Sequence, residues 1–208
     1  TAPLAMSTAA LGWRMTFWLI AGAMVIGGVL VALVVPADRG FALARGESLR
    51  ESLAGTLAAI RTPSVTRLFL MQLATYSSFA LVVGLWGGPY LTHVYGYGLV
   101  ERGDLLFLAA AGQAVGLVLN GPIERWLRSH KAPVTLGAAL TAALFLVLAV
   151  AGSLPPLLLT LWLFAFGLVS AYMPALIAHG KSLFPAALTG RGLTWLNMGS
   201  MAGVFLTQ

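Results

Sequence analysis

Few side chains in this sequence could do chemistry. Ser170 and His179 are the one pair that offers a nucleophile and a base. They stand nine residues apart in one apolar stretch, and on a helix that spacing puts them on opposite faces. Neither could activate the other without a partner elsewhere, so an enzyme is not expected. The chain has no cysteine, which excludes disulfides, thiolate metal sites and thiol nucleophiles. Neither a metal nor a cofactor is expected. The other concentration of functional groups is Glu124–Lys131, with one acid, three bases and a histidine in eight residues. That density is unusual in a chain with only 9% charged residues, where an ordinary soluble domain has about 25%.

The elements that must position these groups are set by composition. Apolar residues make up 59% of the 208 positions, and the mean hydropathy is +0.91. A water-soluble fold cannot hide so much apolar surface, so lipid is the expected solvent. The net charge of +6 raises the question of nucleic acid. The bases stand singly or in small groups between apolar runs, which is no basic stripe, and no nucleic-acid partner is expected. No basic stretch precedes a short apolar core at Thr1, so no signal peptide is read. The apolar run after Gly192 stops at Gln208, and the chain reads as a piece of a longer one.

Five runs are long enough to cross the hydrocarbon as helices: Met15–Val35, Val65–Leu91, Leu105–Asn120, Val134–Gly152 and Leu157–Ala178. A sixth starts near Leu193, and residues 1–11 read as the tail of an earlier helix. The fold class is therefore all-α, a polytopic membrane bundle. Ten of the twelve Lys and Arg residues fall on one side if the connections alternate: Arg39, Arg45, Arg50, Arg61, Arg67, Arg125, Arg128, Lys131, Lys181 and Arg191. Only Arg14 and Arg102 fall on the other, which predicts a cytoplasmic face for the ten. Within the long basic connection, Ser48 and Glu51 have capping-box spacing. Leu49, Leu53, Leu57 and Ile60 then form an apolar stripe, predicting an amphipathic helix on the inner leaflet or on the bundle, ended by Thr62-Pro63.

Polar groups in a span mark helix faces turned toward protein or water. The first span after Thr16, and the fourth, are almost without them and read as lipid-facing. In the second, Gln72, Tyr76, Phe79, Val83 and Trp86 share a face, and Gly87-Gly88-Pro89 predicts a break before Tyr90. The third offers Gln113 and Asn120, with Gly112, Gly116 and Gly121 as close-packing positions. Trp162, Phe166, Ser170 and Met173 stripe the fifth, where Pro174 predicts a kink, and Thr194 and Asn197 are the polar residues of the last. The expected cavity residues are Gln72, Tyr76, Phe79, Trp86, Tyr90, Gln113, Trp162, Phe166, Ser170 and Asn197. No Asp, Glu, Lys or Arg lies at mid-membrane depth, so a carboxylate for a coupling proton would lie outside these residues.

Several stretches together resemble the major facilitator superfamily. Pro3-Leu4 with Gly12-Trp13-Arg14 and Phe17 is similar to that family's passage from helix five to helix six. Asn120–Lys131 resembles its cytoplasmic gating motif between helices eight and nine. Lys181, Pro185 and Gly190-Arg191-Gly192 resemble the entry to helix eleven. The motif match is partial: Asn120 replaces the first glycine, Glu124 the aspartate and Leu127 the second glycine, while Arg125 and Arg128 match. The resemblance implies that residues 1–36 end an N-terminal half, 37–64 form a cytoplasmic linker, and 65–208 carry helices seven to ten and part of eleven. It also implies a gate at Asn120, Glu124, Arg125 and Arg128, the acid pairing with a neighbouring helix end. The implied mechanism is alternating access in a secondary carrier, a multi-pass protein of a bacterial inner membrane and a monomer. A nearly uncharged aromatic cavity wall suits an amphipathic or neutral organic solute. The alternative reading is a non-transporting membrane subunit or receptor.

Overall fold

The computed structural model of the protein describes residues 2–35 and 48–208. Arg39 and Arg45, counted above on the basic side, lie outside them. Every regular element among the described residues is helical. Five stretches are long and apolar enough to cross a membrane: Pro3–Val34, Val65–Tyr95, Leu99–Leu127, Lys131–Ala151 and Pro156–Leu183.

Helix α1 (Ala2–Val34) is two helices joined at Gly12, whose φ of 78° and ψ of 159° favour a residue without Cβ. Its first part, around Ala5 and Thr8, rests against Arg102–Leu106. Beyond Thr16 the rest of the chain covers none of its residues closely, as its lack of polar side chains predicts. Helix α2 (Leu49–Ile60) begins with the predicted capping box. The Ser48 hydroxyl accepts from the Glu51 amide, and the Glu51 carboxylate accepts from the Ser48 amide at 2.8 Å. The stripe of leucines is not the docked face, however. Leu49, Leu53 and Leu57 are exposed, while Ala59 is fully buried and Gly55 sits against the Arg191 guanidinium. Small residues let α2 lie close on the bundle, so of the two expected placements the leucine stripe does not take the one against the bundle.

The second span is α3 (Val65–Ala80), a π-helical turn at Leu81–Trp86 and α4 (Gly87–Tyr95). The predicted break at Gly87-Gly88-Pro89 is absent: the chain stays helical there and widens one turn earlier. A proline cannot bond the carbonyl four residues back and crowds it, and a π turn relieves the crowding without ending the helix. Helix α5 (Leu99–Leu127) runs two turns beyond the predicted third span at its basic end. Helix α6 (Lys131–Ala151) is not wholly lipid-facing, because Pro133, Val134, Gly137 and Thr141 are buried, and Gly137 holds the Tyr172 ring. Helices α7 (Pro156–Ser170) and α8 (Met173–Leu183) are one span broken at Ala171–Tyr172, with Pro174 in the first turn after the break. Helix α9 (Thr189–Thr207) closes the described chain.

Two seams hold these elements together. Gly112 and Gly116 of α5 press on the carbonyls of Phe164 and Leu168, and Gly167 of α7 presses on that of Ala109. Gly199 and Gly203 of α9 press in the same way on Phe69 and Leu73 of α3. Lipid gives helices little hydrophobic reason to associate, so close backbone contact supplies the dispersion energy. Gly121 takes no part in this, since nothing stands within 4 Å of where its Cβ would be. One apolar cluster, with Val65, Leu68, Tyr172, Leu176 and Leu196, lies at the basic end; another, with Leu91, Leu106, Trp162, Leu163 and Phe166, lies toward the other end.

Candidate functional site

The predicted cavity residues fall into two hollows and the helix contacts between them. The larger hollow is an open groove of about 790 Å³ along α3, α8 and α9. Tyr76 and Asn197 border it with Thr194, Ser200, Met173, Met198, Met201 and Phe205. Tyr76 is 38% exposed, and no charged side chain lines the groove. Gln72 lies behind its wall, 1% exposed, with Nε2 donating to the Ser200 hydroxyl at 2.6 Å. That bond ties α3 to α9 beside the Gly199–Phe69 contact. The Gln72 Oε1 is buried and has no hydrogen-bond partner.

The second hollow, about 260 Å³, lies beside the π-helical turn and is lined by Trp86, Tyr90, Leu106, Phe145 and Trp162, with apolar surface throughout. Phe79 stacks on Phe166, and Phe166 on Trp162 with centroids 5.2 Å apart. These rings fill space between helices. The polar ends of this group are spent on structure: the Trp162 indole donates to the Leu144 carbonyl at 2.9 Å, and the Tyr90 hydroxyl to the Gly152 carbonyl at 2.9 Å. Tyr95 joins the same turn, its hydroxyl accepting from the Leu154 amide at 2.7 Å. Gln113 is half-buried on α5, and its backbone touches Gly167. Ser170 is buried and donates to the Gly167 carbonyl at 3.1 Å, with no bond to His179 among the described residues.

The cluster at 120–131 sits where α5 turns into α6. Glu124 Oε2 stands 3.2 Å from His130 Nδ1 and accepts from it in the tautomer that carries the proton there, and His130 is the residue immediately before α6. The acid thus meets the start of the next helix, where a negative charge is favoured. Arg128 ends α5 in the left-handed region, φ 49° and ψ 36°, and both Arg125 and Arg128 are exposed. Asn120 behaves differently. It is 8% exposed, and its amide donates to the carbonyls of Gly116, at 3.1 Å, and Ala171.

At the start of α2 the Ser48 amide and hydroxyl hold the Glu51 carboxyl below its ordinary value. Sequence reasoning missed Met198, Ser200, Met201 and Phe205 as groove residues. Their signal was the i, i+3, i+4 recurrence along a final helix whose apolar run ends at Gln208.

The family model of the Major Facilitator Superfamily matches residues 1–207. The chain belongs to the major facilitator superfamily. A chloramphenicol resistance protein from Streptomyces lividans is 31% identical over 156 residues, covering 73% of this chain and 33% of the relative. The chain therefore spans about a third of the length of the curated relative it matches. No solved structure matches it. Membership, with five apolar spans, makes it an integral, multi-pass membrane protein.

Proposed function

We propose that the protein works as a secondary carrier that moves an amphipathic or uncharged organic molecule by alternating access, in the direction of efflux. The observation that carries this reading is the uncharged groove along α3, α8 and α9. A charged substrate would need a fixed countercharge or a dense set of donors to replace its hydration. The groove offers Tyr76, Thr194, Asn197 and Ser200 as scattered polar contacts, set among three methionines and Phe205. Methionine is flexible and polarizable, and surfaces rich in it repack around ligands of different shape. The groove would form one wall of a site completed by the N-terminal half. Residues 1–36 end that half, 37–64 are the linker, and 65–208 belong to the C-terminal half, with the arginine-rich end in the cytoplasm of a bacterial inner membrane. The carrier acts as a monomer and catalyses no covalent step.

The relative's name supports chloramphenicol, an uncharged aromatic amide, as the first substrate to try. The test is accumulation of labelled chloramphenicol and a panel of neutral aromatics in a drug-sensitive host expressing the full-length protein. Expression should lower accumulation of at least one compound. Tyr76→Ala combined with Met198→Ala should raise its KM about tenfold, with expression unchanged. Unaltered accumulation across the panel, with the protein present in the membrane, would remove the carrier reading in favour of a non-transporting subunit.

A further inference from the structure

The span made of α7 and α8 is interrupted at Ala171, with φ −79° and ψ 23°, and Tyr172, with φ −86° and ψ 5°. Pro174 has no amide hydrogen to return to the Ser170 carbonyl, so helical bonding cannot run through the interruption. A carbonyl freed there needs another donor, because a bare one is costly inside a membrane protein. For Ala171 that donor is Asn120 of α5, whose amide also bonds Gly116 on its own helix. Gly116 lies against Leu168 and the Ala171 side chain, so the two backbones touch at this level. On the α6 side the break borders a cavity of about 190 Å³, which Asn120, Gly137, Val169, Ala171 and Tyr172 help to line. The broken segment is thus held on the α5 side by an amide, while on the α6 side Gly137 carries the Tyr172 ring at the edge of that cavity. Below the break, Ala175 and Leu176 of α8 are locked into the basic-end cluster with Val65, Leu68 and Leu196.

We propose that Asn120 is a positioning residue for the change of access: its amide latches the Ala171–Tyr172 break to α5, and α8 turns when that bond is released. The proposal rests on the carrier reading above. A carrier needs a segment with two arrangements, and a hydrogen bond present in only one of them biases their ratio about five- to tenfold.

The test uses the full-length protein in membrane vesicles, with any cysteines outside these 208 residues replaced. One form carries Ala175→Cys, on α8, and another Ala109→Cys, on α5 in the other cluster; both positions are fully buried. N-ethylmaleimide labelling rates are compared for Asn120, for Asn120→Leu, which keeps bulk without the donor, and for Asn120→Gln, which keeps the amide. Asn120→Ala replaces the leucine variant if that protein fails to reach the membrane. The leucine variant should label at position 175 five- to tenfold faster, with position 109 unchanged and the glutamine variant close to the parent. Equal acceleration at both positions would mean general loosening and overturn the latch, as would a rate at position 175 within twofold of the parent. Chloramphenicol accumulation by the unmodified protein is scored separately. Its failure removes the carrier reading, while the labelling result alone decides the latch.

Discussion

Replacing Gly167 with alanine tests whether α5 and α7 are held by backbone contact. A Cβ at this position would overlap the Ala109 carbonyl oxygen and stand 2.8 Å from both the Ala109 carbonyl carbon and the Gln113 amide nitrogen. Ordinary contact begins near 3.4 Å, and all three atoms are backbone, so no side chain can swing aside. The helices must part by about 1 Å, and a gap of that size forfeits roughly half the dispersion energy of each atom pair it separates. The pairs involved include fully buried Ala109 and Phe166 and nearly buried Leu163. Overpacking of a core costs about 1–3 kcal/mol, and a rigid backbone obstacle belongs at the upper end of that range. Reversible unfolding of the purified protein in mixed micelles, followed through Trp162 and the other tryptophans, measures the loss. Gly22→Ala on α1 is the control. Nothing lies near its Cβ, its neighbours in the chain are Ala21 and Ala23, and alanine should stabilise that helix by up to ~1 kcal/mol. If Gly167→Ala stayed within about 0.5 kcal/mol of the parent, or if Gly22→Ala proved equally damaging, the backbone-seam account would fail.

The Gln72–Ser200 bond gives a second prediction. Ser200→Ala leaves a buried amide with no partner and should destabilise by about 1–3 kcal/mol, while adding Gln72→Leu should recover most of that loss; a double variant worse than the single would refute it. The cap of α2 should respond to pH. Glu51 titrates below its ordinary 4.5 in the folded helix, so its contribution is complete above that value and is lost as pH falls through the lowered one. Protection factors against amide exchange at Ser52–Thr56 should therefore fall below about pH 4.5 in the parent and be low at all pH values in Glu51→Ala. For orientation, a single cysteine at Tyr97 should react with an impermeant reagent in intact cells and one at Ser129 should not; reaction at Ser129 would invert the topology.

The sequence by itself determined five stretches long and apolar enough to cross and that the first of them could lie against lipid beyond Thr16, though not that α6 turns one face inward. Those features follow from hydropathy and from the scarcity of polar groups after Thr16, which depend on composition along one strand of chain. The capping box at Ser48 was legible for the same reason, since both partners lie within four residues. Tertiary structure decided what shared spacing could not. Tyr76 and Trp86 fall on one helical wheel face, yet the π turn between α3 and α4 and the long path of the span send them to different hollows. Leu49, Leu53 and Leu57 were expected on the inner leaflet or on the bundle, and the face laid on the bundle is that of Gly55 and Ala59, with Gly55 against the Arg191 guanidinium. Asn120 read as one member of a cytoplasmic motif. Its bond to Ala171 joins residues 51 apart in the chain, and only the crossing of α5 with the broken span makes that carbonyl available to it. Periodicity gives the face on which a side chain stands; its partner depends on which helix lies opposite and how closely glycine lets it approach.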